Sequence, residues 1–367
     1  MPYPHIRVSG GPAERGLQYG RLAAGRIAET IAMYRGIFAY YAGLDWPRAQ
    51  EVALRFEPAI AAVSEDYLRE MRGIAEGAGV DYADILAVNV RTEIMFSGLA
   101  RRIVPVAECS AAAVLPAAAA GRTLIGQNWD WRPGAERTVV LLEVRRDDGP
   151  NFVTAVEAGL LAKTGMNEAG VGVVTNALVS EFDQGEPGMP YHVALRACLD
   201  AERASAALDV LERYPRSASA NYLVAAAGGA AFDAEGAPGG RERIFLDLGD
   251  GDVIAHTNHF TSERLGGRDV NRELSSGTLF RLQRLRAGLR GAPVTPERFQ
   301  EALRDHAEHP LSVCAHPDPG RPGQERSATI VSVVMSLEER RMWIADGNPC
   351  TTPYREVDLG GLLGPRG

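Results

Sequence analysis

The 367 residues are 46% hydrophobic and 23% charged, the composition of a globular protein with enough chain to bury a full core. A formal net charge of -8 lacks the basic excess that a phosphate-binding surface needs, so no nucleic acid partner is expected. No apolar run has bilayer length, and Ala111–Ala120 is broken by Pro116; Met1–Gly10 lacks a signal-peptide pattern, so a cytoplasmic location without a membrane partner is expected.

The first hundred residues read as helical. Leu22, Ile27, Ile31, Tyr34, Phe38 and Tyr41 recur at helical spacing over Glu14–Tyr41. Val52, Phe56, Ile60, Val63, Tyr67, Met71 and Ile74 do so over Pro47–Ala78, which Gly77 and Gly79 end. A third helix is predicted over Tyr82–Met95 with Asp81 as its N-cap. Between Cys109 and Asn176 the pattern changes to short runs rich in Val, Leu and Ile, such as Thr138–Val144 and Val171–Val174, separated by turn residues; this predicts a strand meander. Helix returns over Pro190–Tyr214, strands over Tyr222–Ala226, Ile244–Leu248 and Val253–Thr257, and helix over Thr278–Leu289 and Pro296–His306. Two strands, Ala328–Met335 and Arg341–Ala345, close the chain. Helices first, then strands interleaved with helices, predict a layered α+β sandwich in one integrated domain.

The cysteines are Cys109, Cys198, Cys314 and Cys350, with no C-x-x-C pair and no disulfide framework. Cys198 and Cys350 read as small buried apolar residues. The pairs His256/His259 and His306/His309 come without a third ligand at usual zinc spacing, so no metal is expected. Glu108-Cys109-Ser110, followed by Gly126-Gln-Asn-Trp-Asp-Trp131, is the segment that points to chemistry. A cysteine opening a strand is a nucleophile when a base lies near it. No histidine is close in sequence, the next being His192, so a Cys–His pair would have to be built by the fold. Cutting the bond before Cys109 supplies another base: the freed α-amine, whose reference pKa of about 7.7–8.0 matches a thiol of about 8.5.

With these residues in view, the chain resembles the acyl-coenzyme A:6-aminopenicillanic acid acyltransferase family of N-terminal nucleophile hydrolases. The resemblance rests on Gly16-Leu-Gln-Tyr-Gly-Arg21, Met71-Arg-Gly-Ile-Ala-Glu-Gly-Ala-Gly-Val80, Asn89-Val-Arg-Thr-Glu93, the region of Cys109, Gln127-Asn-Trp-Asp130, Gly165-Met-Asn-Glu-Ala-Gly170, Thr257-Asn-His259 and Arg326-Ser-Ala-Thr329, all in family order. It implies a four-layer αββα sandwich. It also implies self-cleavage between Glu108 and Cys109 into a mostly helical α chain, residues 1–108, and a β chain, residues 109–367, that stay associated. Carried over by position, Cys109 is the nucleophile, Asp130 polarises its amine, Asn258 donates to the oxyanion and Arg326 favours the thiolate. Gln127, Asn128 and Trp129 are weaker candidates for the substrate pocket.

The implied activity is cleavage or transfer of an acyl group at an amide or thioester of an acylated small molecule, with hydrolysis favoured because water is always available. No cofactor is expected, although a coenzyme A thioester fits as acyl donor. Glu108 departs from the glycine common in the family before the nucleophile. It keeps open an unprocessed, non-catalytic binding protein on the same scaffold. Gln127 stands where the bile salt hydrolase and penicillin V acylase branch carries arginine.

Overall fold

A computed structural model describes residues 2–99, 109–249, 251–291, 293–359 and 361–363. Glu108, and with it the expected cut, lies outside the described residues. The chain opens with a strand that helical periodicity did not predict, β1 (His5–Gly10), ahead of α1 (Pro12–Tyr41). The apolar face of α1 is Tyr19, Ala23, Ile27, Ile31, Tyr34, Phe38 and Tyr41, spaced to fall on one side; Leu22, predicted to join it, is 62% exposed. The predicted Pro47–Ala78 helix is three: α2 (Trp46–Leu54), α3 (Glu57–Val63) and α4 (Glu65–Ala78). Pro58 is tolerated only in the first turn of a helix, and the Ser64 side chain caps α4 through the Asp66 N–H, so each resets the chain. Gly79, in the left-handed region at φ 69°, ends α4. The third predicted helix divides likewise into α5 (Tyr82–Asn89), capped by Asp81 as expected, and α6 (Arg91–Leu99).

Helices α1 and α4 touch backbone to backbone. A Cβ on Gly20 would lie 2.2 Å from the Ile74 carbonyl oxygen, and one on Gly77 2.2 Å from that of Leu17. The glycines at the start of the family-like pattern are therefore packing residues.

The strands and later helices are β2 (Cys109–Val114), β3 (Leu124–Trp131), β4 (Val139–Arg146), β5 (Phe152–Glu157), β6 (Thr164–Asn167), β7 (Val171–Ala177), α7 (Tyr191–Leu199), α8 (Ala204–Arg213), β8 (Ala220–Ala226), β9 (Ala231–Gly236), β10 (Ile244–Asp247), β11 (Val253–His256), α9 (Val270–Leu274), α10 (Gly277–Leu289), α11 (Pro296–Ala302), β12 (Ala328–Ser336), β13 (Arg341–Ala345) and β14 (Arg355–Glu356). They form two sheets, ordered β1-β4-β5-β6-β7-β8-β9-β10 and β11-β2-β3-β12-β13-β14. The sheets pack face to face through β2 and β3 against β7 and β8; α7 and α8 cover the larger sheet, and α10 and α11 the smaller. This is the expected αββα sandwich. Because both faces of each sheet are covered, every residue of β2, β3 and β5 is buried, the polar Gln127, Asn128 and Asp130 of β3 included.

The N-terminal helices are bound to this core by polar links as well as apolar packing. Arg15 of α1 pairs with Glu70 of α4 and with Asp148 of the β4–β5 turn, both at 2.8 Å, and Glu70 also takes Arg196 of α7 at 3.0 Å. Asn89 donates to the carbonyls of Ile85 and Gly159 and accepts from the Leu161 N–H, each at 2.9 Å. Among the described residues no helix is long and apolar enough to cross a membrane.

Candidate active site

Cys109 opens β2 opposite Trp129 of β3, and it is buried. Each polar atom of its backbone is held from the smaller sheet's helical side. Its N–H donates to Asn258 Oδ1 at 2.6 Å, and its carbonyl accepts from Arg281 Nη1 of α10 at 2.7 Å. Arg281 Nη2 also donates to Asn258 Oδ1, at 3.2 Å, so the asparagine oxygen joins the two contacts. Asn258 is itself fixed: Thr278 Oγ1 accepts its N–H at 2.9 Å, and its Nδ2 donates to the Ala177 carbonyl at 2.9 Å.

The cysteine faces a small cavity of about 30 Å³ shared with Asp130, Trp129, Lys163, Arg91 and Tyr191. Asp130 is buried and accepts from Thr329 Oγ1 at 2.6 Å; Thr329 Oγ1 in turn accepts from the Ala315 N–H at 3.0 Å. The Lys163 ammonium stands 4.4 Å from the Trp129 ring centroid. Arg91 pairs with Glu157 at 2.9 Å. Burial pushes the Cys109 thiol up, Lys163 and Arg281 pull it down, and Asp130 opposes them through its charge. Burial lowers Lys163 to about 8, helped by the charge of Arg91. The arrangement thus couples a buried thiol to two cations and to a carboxylate held by a hydroxyl. Burial outweighs the two cations, so the thiol is held above its ordinary range and the cations lessen the cost of forming the thiolate.

The sequence model of the acyl-coenzyme A:6-aminopenicillanic acid acyl-transferase family matches residues 118–351, more than half of the chain. The chain belongs to this family. The acyl-coenzyme A:6-aminopenicillanic-acid-acyltransferase 40 kDa form of Emericella nidulans is 25% identical over 347 residues, 94% of this chain and 93% of that one. Among solved structures, a Caenorhabditis elegans N-acylethanolamine-hydrolyzing acid amidase ortholog is 13% identical, with a TM-score of 0.46 over 63% of this chain and 96% of that one. Penicillin V acylase from Agrobacterium tumefaciens is 14% identical, with a TM-score of 0.41 over 69% of this chain and 86% of that one. Membership in the acyl-transferase family makes the protein one of an acyl-transferring enzyme class.

Of the residues that the family pattern picks out, the structure brings Cys109, Asp130, Asn258 and Trp129 together. It does not bring Arg326 to them. The Arg326 guanidinium donates to the carbonyls of Arg321 at 3.0 Å and Pro319 at 3.2 Å, satisfying the loop before β12, and it does not line the cavity. Gln127 and Asn128 are also absent from the cavity lining. Gln127 Oε1 takes the Thr175 N–H at 2.7 Å, tying the two sheets, and Asn128 Nδ2 donates to the carbonyls of Leu303 and Val313, both at 2.8 Å. Both satisfy buried backbone groups, which successive residues of a strand do on opposite faces.

Two cations were missed, and each left a sequence signal. Lys163 is the only lysine among 39 basic residues, and it sits in an otherwise apolar, small-residue stretch. Arg281 lies on the buried stripe of α10 with Thr278, Leu282, Leu285 and Leu289, a position where an arginine is rarely found unpaired. The histidine pairs also part ways. His256 Nε2 pairs with Glu235 at 2.8 Å and His259 Nδ1 with Thr278 Oγ1 at 2.9 Å, whereas His306 meets His316, Cys314 and Cys350. Cys198 is buried as expected; Cys350, expected to be buried, is exposed in the turn after β13.

Proposed function

We propose that this family member is a self-processing amidohydrolase or acyltransferase with Cys109 as nucleophile, and that hydrolysis predominates. The observation that carries the proposal is the shared cavity of Cys109, Asp130 and Lys163, together with the bond from the Cys109 N–H to Asn258.

In the first step the Cys109 thiol attacks the Glu108 carbonyl. A C–S bond forms, the Glu108–Cys109 C–N bond breaks, and the nitrogen, which keeps its own hydrogen, takes the thiol proton to become the new α-amine. Water opens the thioester, leaving the Glu108 carboxylate and a free thiol. In turnover the α-amine takes the thiol proton, the thiolate attacks the substrate's acyl carbonyl, and the amine or thiol leaving group departs with that proton. Water then releases the acid; an amine in its place gives transfer. Lys163 and Arg281 favour the thiolate electrostatically, Asp130 polarises the α-amine, and Asn258 serves the oxyanion. The substrate is an acylated small molecule, with a coenzyme A thioester as a fitting acyl donor and no bound cofactor. Water is always available, whereas transfer needs a second pocket for the amine, and this supports hydrolysis. Four cysteines without a disulfide fit a cytoplasmic setting.

Mass spectrometry of the purified wild type tests the reading. Chains 1–108 and 109–367 are expected, with a single chain for Cys109→Ala. A wild type that stays whole after prolonged incubation, with no acyl adduct on Cys109 when amides or thioesters are offered, overturns it in favour of a non-catalytic binding protein.

A further inference from the structure

A second cluster of cysteines and histidines lies outside the Cys109 cavity, and we propose that it is a tetrahedral zinc site. Its members are His306, in the chain after α11, Cys314 and His316, in the extended run that follows, and Cys350, in the turn after β13. One ligand atom from each lies within 4.8 Å of all the others. His306 Nε2 and His316 Nε2 are 3.1 Å apart; His316 Nε2 is 3.9 Å from Cys314 Sγ and 3.6 Å from Cys350 Sγ.

Zinc at about 2.0–2.1 Å from nitrogen and about 2.3 Å from sulfur has tetrahedral edges of about 3.3–3.8 Å. The three separations from His316 Nε2 already fall near those edges. The two sulfurs also converge on one acceptor, Asn348 Oδ1, at 2.9 Å and 3.0 Å. Such a convergence of two thiols and two imidazole nitrogens suits a soft, four-coordinate divalent ion. Binding releases both thiol protons, and the two thiolates neutralise the ion. With four protein ligands no position remains for water or substrate, so the site is structural. His306 and Cys350 are exposed, which gives the metal a path in.

The site is also wired to the catalytic cavity. Ala315, between ligands Cys314 and His316, exchanges hydrogen bonds with Thr329: its N–H donates to Thr329 Oγ1 and its carbonyl accepts the Thr329 N–H, both at 3.0 Å. Thr329 Oγ1 donates to Asp130. A metal that pins residues 314–316 to the turn at Cys350 therefore also steadies the threonine that donates to Asp130.

Tag-free full-length protein should hold about one zinc per chain by elemental mass spectrometry. Cobalt(II) exchange should give the visible bands of a tetrahedral thiolate complex. Cys109→Ala should keep both signals, which separates this site from the catalytic thiol. Cys350→Ser and His306→Gln, both at exposed positions, should lose them while retaining the wild-type circular dichroism spectrum. Zinc content in the zinc-reconstituted wild type no higher than in Cys350→Ser overturns the proposal. So does a Cys314–Cys350 disulfide in freshly purified protein.

Discussion

Asn258 Oδ1 accepts the backbone hydrogen of Cys109 at 2.6 Å across 149 residues of sequence. This bond holds the nitrogen that becomes the α-amine if the chain is cut. Asn258→Ala removes both that acceptor and the amide expected to serve the oxyanion. A loss of about 10²–10³ in kcat is expected, the range for deleting one oxyanion donor. Self-cleavage should slow as well, read as persistence of the uncut band over time. An unchanged kcat would remove Asn258 from the machinery.

Lys163→Met takes a positive charge from beside the thiol. Burial already raises the Cys109 pKa and Lys163 is the first group opposing it, so the pKa should rise further. The pH profile of Cys109 alkylation by iodoacetamide should move to higher pH, with kcat/KM at neutral pH down roughly tenfold or more.

His256 makes stability depend on pH. Burial disfavours its charged form, but the charges of Asp233 and Glu235 and the hydrogen bond to Glu235 more than offset this and raise it to about 9. Unfolded, the imidazole titrates near 6.5. The native state thus holds a proton that the unfolded state loses first. The pair's contribution is complete below about 6.5, falls as pH rises from there, and is gone above about 9. His256→Asn, which leaves buried Glu235 and Asp233 without the imidazolium, should cost about 3–5 kcal/mol at pH 6. Denaturant melts of wild type and mutant should converge by pH 9.5.

Gly20→Ala and Gly77→Ala test the backbone contact of α1 with α4. A Cβ at 2.2 Å from a carbonyl oxygen forces the helices apart, since neither neighbour is a flexible side chain. Each substitution should lower stability by about 1–3 kcal/mol despite the better helix propensity of alanine. Gly25→Ala, where nothing stands within 4 Å, is the control and should be neutral or stabilising.

The sandwich was legible because covered strands such as β4 and β12 leave short apolar runs and because α1 and α10 keep helical spacing. Boundaries failed where a local residue overrode the period, as Pro58 and Ser64 did. Strand β1 was missed because its six residues exist only by pairing with β4, 136 positions later for His5 and Leu141, and no local pattern carries that. Their order along the chain singled out Cys109, Asp130 and Asn258, which the structure brings together. The same order also singled out Arg326, whose guanidinium turns to the carbonyls of Arg321 and Pro319, because order says nothing about where a long side chain points. Lys163 and Arg281 were overlooked because their message lies in being polar where neighbours are apolar. The four residues of the metal cluster come from three separate segments, so their spacing resembles no linear motif.

Strand β1 lies parallel to β4 at the edge of the larger sheet, His5–Gly10 against Leu141–Arg146. A segment N-terminal to any cut at Cys109 therefore completes a sheet built from residues beyond the cut. Assembly and scission then have a fixed order in time: the edge strand must be laid down while one chain still carries both halves. Afterwards, unfolding turns a local pairing problem into a search between two molecules. The mature protein would lose its way back, so heat or denaturant should inactivate it irreversibly while the uncut Cys109→Ala chain refolds.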